Sequence, residues 1–202
     1  MSGIANYTDD DIKTLSPREH IRLRPGMYIG KLGDGTAPDD GIYVLLKEVM
    51  DNSVDEFIMG AGKVIEITVE GKAVTIRDYG RGIPLKSLAA AVSEMNTGGK
   101  YGSAAFEKTV GLNGVGVKAV NMLSSEFMAR SVRDGEAHTV HFAAGIQQDD
   151  IWESGVNERT GTLIRFVVDE EVFGEYSYNL EYVETLIKNY TYLNLVLTIK
   201  FN

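Results

Sequence analysis

Three polar residues in the stretch 42–60, IYVLLKEVMDNSVDEFIMG, have the types and spacing that could do chemistry. Glu48, Asn52 and Asp55 are separated by four and three positions, so at 3.6 residues per turn they share one stripe of a helix. Ile42, Leu46, Val49, Ser53 and Phe57 fall on the opposite side. A solvated stripe normally mixes in basic partners, whereas Val44 and Leu45 flank this one and Lys47 stands off to one side. The stripe therefore reads as a pocket wall, with a solvated acidic face as the plainer alternative. A carboxylate, an amide and a second carboxylate suit a metal-bound anion, because a hard cation takes oxygen ligands and a carboxylate can orient a water.

Further motifs lie downstream. Gly111-Leu112-Asn113-Gly114-Val115-Gly116 precedes a helix expected to start near Val117, where glycines let the backbone approach a ligand and free amides point at an anion. This reads as a phosphate cradle. Two other readings stand beside it: a dinucleotide fingerprint through Gly114, Gly116 and Ala119, for which no preceding strand is evident, and a simple flexible loop. Asp78-Tyr79-Gly80-Arg81-Gly82-Ile83-Pro84 ends a strand in a bend. A strand-end aspartate commonly satisfies a turn. Held at such a bend, it can also accept from the exocyclic amine of adenine, where guanine offers a carbonyl. Glu56 and Arg81 could form an ordinary surface pair, and Gly161-Thr162 could be only a bulge. His138 and His141 are an odd number apart on a strand and so face opposite sides, a poor metal pair; His20 reads as structural.

Elements must hold these residues in place. Ser16, Pro17 and Glu19 form a capping box over a short helix to residue 22, and residues 27–29 read as a short strand before a loop at 33–41. After the helix at 42–60 the period changes to two: KVIEITVE, Gly71-Lys72 and AVTIRD make a hairpin. A helix is expected over 85–95, and the Gly- and Ser-rich stretch 96–116 reads as a lid or binding loop. EFMARSVR, Asp134-Gly135 and EAHTVHFA make a second hairpin, with strands at 151–153, 161–168 and 195–201 and a helix at 179–192. This order predicts an α+β fold, a two-layer α/β sandwich whose mixed, mainly antiparallel sheet carries helices on one face. Residues 1–15 are polar and read as an arm, with Tyr7 and Ile12 as its apolar points; residues 16–202 read as one domain.

Composition bounds the partners. At 202 residues and 44% hydrophobic, the chain can build one full core. It has no run of 18 apolar residues and no secretory start, so no membrane partner is expected. The absence of cysteine excludes disulfides and thiolate chemistry and fits a reducing cytoplasm. A net charge of −9 works against a long-range grip on nucleic acid and repels a nucleotide, so any phosphate site must rely on local amides, a lysine and a cation.

Taken in order, Glu48, Asn52 and Asp55, then Asp78-x-Gly80-x-Gly82, then Gly111-x-x-Gly114-x-Gly116, then Gly161-Thr162, resemble the four ATP-site boxes of the GHKL superfamily. Arg24-Pro25-Gly26-Met27-Tyr28-Ile29-Gly30, Gly98-Gly99-Lys100 and Val120-Asn121-Met122-Leu123-Ser124 narrow the resemblance to the ATPase domains of the B subunits of bacterial type IIA topoisomerases, over essentially the whole chain. The resemblance implies the Bergerat type of α/β sandwich, Mg-ATP as cofactor and a bacterial cytoplasmic enzyme in which ATP drives dimer closure and DNA strand passage. It implies Glu48 as the general base on the attacking water, Asn52 as the Mg2+ ligand, Asp78 as the adenine reader, Thr162 in the same water network and Asp55 on the pocket floor.

The same resemblance implies that Glu56 and Arg81 pair across the adenine, that Gly82, Ile83 and Pro84 line an apolar wall, and that Lys100 and the amides of Leu112, Asn113, Gly114, Val115, Gly116 and Val117 hold the phosphates. Arg133 matches an arginine at the pocket mouth that also meets aminocoumarin inhibitors. Tyr7 and Ile12 match an arm that reaches a second copy of the same protein. An A-type subunit and DNA are implied as partners through domains beyond this chain, which on this reading is a fragment. Asn113 stands where the family usually has His, and Tyr79 where a second Asp is common. A histidine-kinase catalytic domain shares the boxes and is the alternative, as is a nucleotide sensor without hydrolysis; the chain lacks an acceptor-histidine helix.

Overall fold

In a computed structural model, residues 14–95, 97 and 114–202 are described. Helix α1, Pro17–Leu23, opens on the expected capping box: the Ser16 side chain accepts from Glu19 N while Glu19 Oε2 accepts from Ser16 N at 2.8 Å. The segment expected as a strand is instead a one-turn helix, α2, Gly26–Ile29. Pro25, at φ −59° and ψ −33°, starts the chain in the helical region, and Gly30, at φ +70°, stops it after one turn.

Helix α3, Gly41–Ile58, is the central helix. Leu45, Leu46, Val49 and Met50 are buried in the core beside Ile65, Ile67, Ile76 and Phe166 of the sheet. Burying one such side chain contributes roughly 1.5–3 kcal/mol, which accounts for a helix that carries several polar residues. Strands β1, Val64–Glu70, and β2, Ala73–Asp78, form the expected hairpin, with Glu70 opposite Ala73. The helix expected over 85–95 divides into a 3-10 turn, Leu85–Ser87, and α4, Leu88–Ser93.

Helix α5, Gly116–Met122, leads into β3, Ser124–Arg133, and β4, Glu136–Ala143. Only residues 151–153 were expected as the next strand, yet β5 runs Ile146–Ser154, because Ala144 and Gly145, both at positive φ, make a second tight turn. All of β5 is exposed, so no alternation of apolar residues marks it. Then come β6, Gly161–Val168, the one-turn α6, Glu170–Phe173, α7, Leu180–Leu193, and β7, Thr198–Phe201.

The sheet order is β5-β4-β3-β6-β2-β1-β7, antiparallel throughout except for β7, which runs parallel to β1. It is a mixed, mainly antiparallel α+β sheet, as the sequence order suggests. Ile65, Ile67, Val74, Ile76, Ile164 and Phe166 alternate toward the helices. The other face is polar and knitted by ion pairs such as Lys200–Glu66 at 2.8 Å and Arg165–Glu126 at 2.9 Å. No helix among the described residues is long and apolar enough to cross a membrane.

Candidate functional site

The polar stripe of α3 faces the start of α5. Glu48 and Asn52 are half-buried and Asp55 is buried. The Glu48 carboxylate lies over Gly116, where an added Cβ would fall 1.8 Å from Glu48 Oε2. A glycine at the first position of α5 is therefore what lets the two elements close on each other. Asn52 Nδ2 donates to the Glu48 carbonyl at 3.0 Å, which turns the amide oxygen outward from the helix backbone.

A second carboxylate sits at the end of β2. Asp78 is 7% exposed, and its Oδ1 accepts from Gly80 N at 2.9 Å and from Thr162 N at 3.2 Å. Both bonds fall on Oδ1, so Oδ2 is the oxygen that remains to meet a ligand. Burial pushes the Asp78 carboxyl up to about 6, with nearby Glu56 adding to the rise and the two backbone donors opposing it. Gly161, at φ +146°, lets β6 come this close: a Cβ there would be 2.2 Å from the Asp78 carbonyl oxygen.

Glu56, one turn beyond Asn52, grips the bend after Asp78. It accepts from Arg81 N at 2.9 Å, Arg81 Nε at 3.0 Å and Arg81 Nη2 at 2.8 Å, a bidentate pair with a backbone anchor. Gly80 packs on this carboxylate. Gly82, at φ +71°, packs on Ser131 and Arg133, which sets Arg133 beside the bend that continues into Ile83 and Pro84. Tyr79 points the other way, as alternation along the chain requires. Its hydroxyl donates to Glu66 Oε2 at 2.7 Å and the Arg159 guanidinium lies 4.2 Å from its ring on the outer face, so a different residue type at 79 leaves the Asp78 side unaltered.

The structure thus gathers Glu48, Asn52, Asp55, Glu56, Asp78, Arg81, Gly82, Ile83, Pro84, Gly116, Arg133 and Thr162 along the facing edges of α3, α5 and the ends of β2, β3 and β6. Gly114, Val115 and Val117 flank Gly116 and are half-buried. Tyr7, Ile12, Lys100, Leu112 and Asn113 lie outside the described residues. His138 and His141 do face opposite sides: His138 is 2% exposed on the helix side, whereas His141 is partly exposed.

Several neighbours were not legible as site residues. Lys118 on α5 is 2% exposed and its Nζ donates to the Thr97 carbonyl at 2.6 Å, joining α5 to the chain after α4. Asp51 accepts from Lys47 at 2.7 Å and from the Tyr190 hydroxyl, which ties α7 to α3. Burial and that carboxylate raise the Tyr190 hydroxyl well above its ordinary value. In the sequence, only its place two residues after Gly116, at the start of a helix, could have marked Lys118.

Among the described residues no three His, Asp or Glu side chains converge as an all-protein metal cage. A single amide beside a carboxylate fits Mg2+, which keeps waters and takes phosphate oxygens rather than filling its shell with protein.

Residues 38–171 match the family model described as histidine kinase-, DNA gyrase B- and HSP90-like ATPase. Over 199 residues the chain is 50% identical to the B subunit of DNA topoisomerase 4 from Borreliella burgdorferi, covering 98% of this chain and 33% of that protein. It is 34% identical to the B subunit of DNA gyrase from Treponema denticola, covering 96% of this chain and 31% of that protein. The chain thus spans about a third of the length of these curated relatives. The 43K ATPase domain of Thermus thermophilus gyrase B, solved in complex with an aminocoumarin, superposes with a TM-score of 0.76 at 26% identity, covering 92% of this chain and 48% of that one. With more than half of its length matched by that model, this chain belongs to the histidine kinase-, DNA gyrase B- and HSP90-like ATPase family.

Proposed function

We propose that the chain is the ATP-binding and ATP-hydrolysing domain from the B subunit of a bacterial type IIA topoisomerase, with residues 1–15 as an arm and 16–202 as the ATPase domain. The packing of Glu48 on Gly116 carries this reading. It puts a carboxylate that can orient and deprotonate water against the backbone of the glycine-rich segment, where a terminal phosphate would lie. A module that only senses nucleotide does not require a water-activating carboxylate at that point.

On this reading Asp78 Oδ2 accepts from the adenine amine, and the Thr162 hydroxyl supports the same water network. The Glu56–Arg81 pair, Ile83 and Pro84 flank the base. Lys100 and the amides from Leu112 to Val117 hold the phosphates, and Asn52 offers its amide oxygen to Mg2+, which compensates phosphate charge when bound. Asp55 closes the floor. Tyr7 and Ile12 reach a second copy of the same protein, Arg133 stands at the mouth where an aminocoumarin would bind, and DNA and an A-type subunit engage parts of the protein beyond this chain. The setting is the bacterial cytoplasm, and no membrane partner enters the reading.

The test is Glu48→Ala in the full-length protein. Turnover should fall by at least a hundredfold while the affinity for a non-hydrolysable ATP analogue stays within about threefold of wild type. Unchanged turnover, or transfer of radiolabel from ATP to a histidine, would overturn the reading. The chain alone should bind ATP but hydrolyse it slowly, and robust turnover by it would count against a need for further domains.

A further inference from the structure

Four adjacent strands carry one lateral row on the helix side of the sheet. Thr162 on β6 stands opposite Ser131 on β3, Ser131 opposite His138 on β4, and His138 opposite Trp152 on β5. Directly opposed residues of antiparallel strands project from the same face, so the row continues sideways from Asp78, whose Oδ1 accepts from Thr162 N. The row runs beneath the bend 82–85. Ser131 Oγ donates to the Ile83 carbonyl at 2.7 Å, and His138 Nδ1 lies 2.6 Å from the Leu85 carbonyl.

His138 is more than a filler in this row. Its Nε2 lies 2.7 Å from Asp150 Oδ1, and its ring stacks on Trp152 with centroids 3.9 Å apart and planes 15° from parallel. The Leu85 carbonyl and the Asp150 carboxylate are both acceptors. The imidazole spans the two, with one ring nitrogen within hydrogen-bond distance of each. This ring, buried to 2% exposure, links the exposed edge strand β5 to the bend that ends in Ile83, Pro84 and Leu85.

We propose that His138 is a positioning residue of the nucleotide site. Braced on Asp150 and Trp152, its ring fixes the Leu85 carbonyl and so sets the height of the Ile83–Pro84 wall over the base. Ser131 fixes the same wall two residues earlier. The inference rests on the proposed nucleotide reading, and it extends the site across two strands to β5.

The test uses the 202-residue chain, wild type and His138→Phe, which keeps a ring against Trp152 but removes both ring nitrogens. Titration calorimetry with ADP and with a non-hydrolysable ATP analogue, both with Mg2+, should give a loss of roughly tenfold, equal for the two nucleotides, because the wall meets the base and not the phosphates. Without nucleotide, the amides of residues 82–87 should exchange faster in the variant. If His138→Phe does not fold, His138→Gln, which can reach only one acceptor, is measured instead, with a loss of about threefold expected. Wild-type affinity and exchange in the variants overturn the positioning role and leave the nucleotide reading standing. A wild-type chain that binds neither nucleotide overturns both.

Discussion

Asp78→Asn should make the chain more stable and a poorer nucleotide binder at once. Burial lifts the Asp78 carboxyl from 3.8 to about 6, so the native state holds this proton at pH values where the unfolded chain has released it. The stabilisation this gives is fully present below about pH 4 and is lost as pH rises through about 6. Above that, the buried carboxylate costs the wild type ~3 kcal/mol relative to a neutral isostere.

Asparagine at this position keeps an oxygen that accepts from the Gly80 and Thr162 amides, so the group is oriented as before. Its nitrogen must then stand where Oδ2 stood, a donor at the point where the proposed reading puts the adenine amine. For a chain of this length, ~3 kcal/mol moves the melting temperature by roughly 6–12 °C. Thermal unfolding of both proteins without ligand, from pH 4 to pH 8, should give a difference near zero at pH 4 that grows in favour of the variant and levels off above pH 7. With a saturating ATP analogue the wild type should gain several degrees and the variant almost none. A pH-independent difference, or a variant less stable than wild type at pH 8, refutes the charge argument; an equal gain with nucleotide refutes the placement of adenine.

Three further outcomes test the site. Gly116→Ala places a methyl 1.8 Å from Glu48 Oε2 in a backbone position that alanine tolerates; the side chain can swing away, so melting should change by no more than a few degrees, while turnover of the full-length protein falls about a hundredfold because the carboxylate is displaced. Gly161→Ala meets backbone at 2.2 Å and 2.8 Å at φ +146°, so it should cost several kcal/mol and appear as a large loss of soluble chain. Arg81→Ala opens a partly exposed pair, with Arg81 at 42% and Glu56 at 20% side-chain exposure, so stability should change by under about 1 kcal/mol in urea unfolding while ATP affinity drops more clearly.

Much of this site is written locally. The spacing of Glu48, Asn52 and Asp55 assigns them to one helix stripe, the change of period at 64–78 marks a hairpin, and the capping box starts α1 where its side-chain chemistry dictates. Each of these signals involves residues within a few positions of one another. Where a local rule competed with a better one, the reading missed: residues 27–29 look like a strand, but Pro25 and Gly30 confine them to a helical turn, and the exposed β5 has no alternation to read.

What the sequence determined by itself is therefore the inventory: a polar helix stripe, a bend after an aspartate, a glycine-rich helix start and a glycine-threonine pair, all on one sheet with helices above it. What only the tertiary structure decided is which of them meet. Gly116 admits the Glu48 carboxylate, Gly161 admits the Asp78 backbone, and the register of β6, β3, β4 and β5 sets Thr162, Ser131, His138 and Trp152 side by side. Strand register and helix approach are fixed by close packing between segments far apart in the chain, and no periodicity along a single segment carries that information.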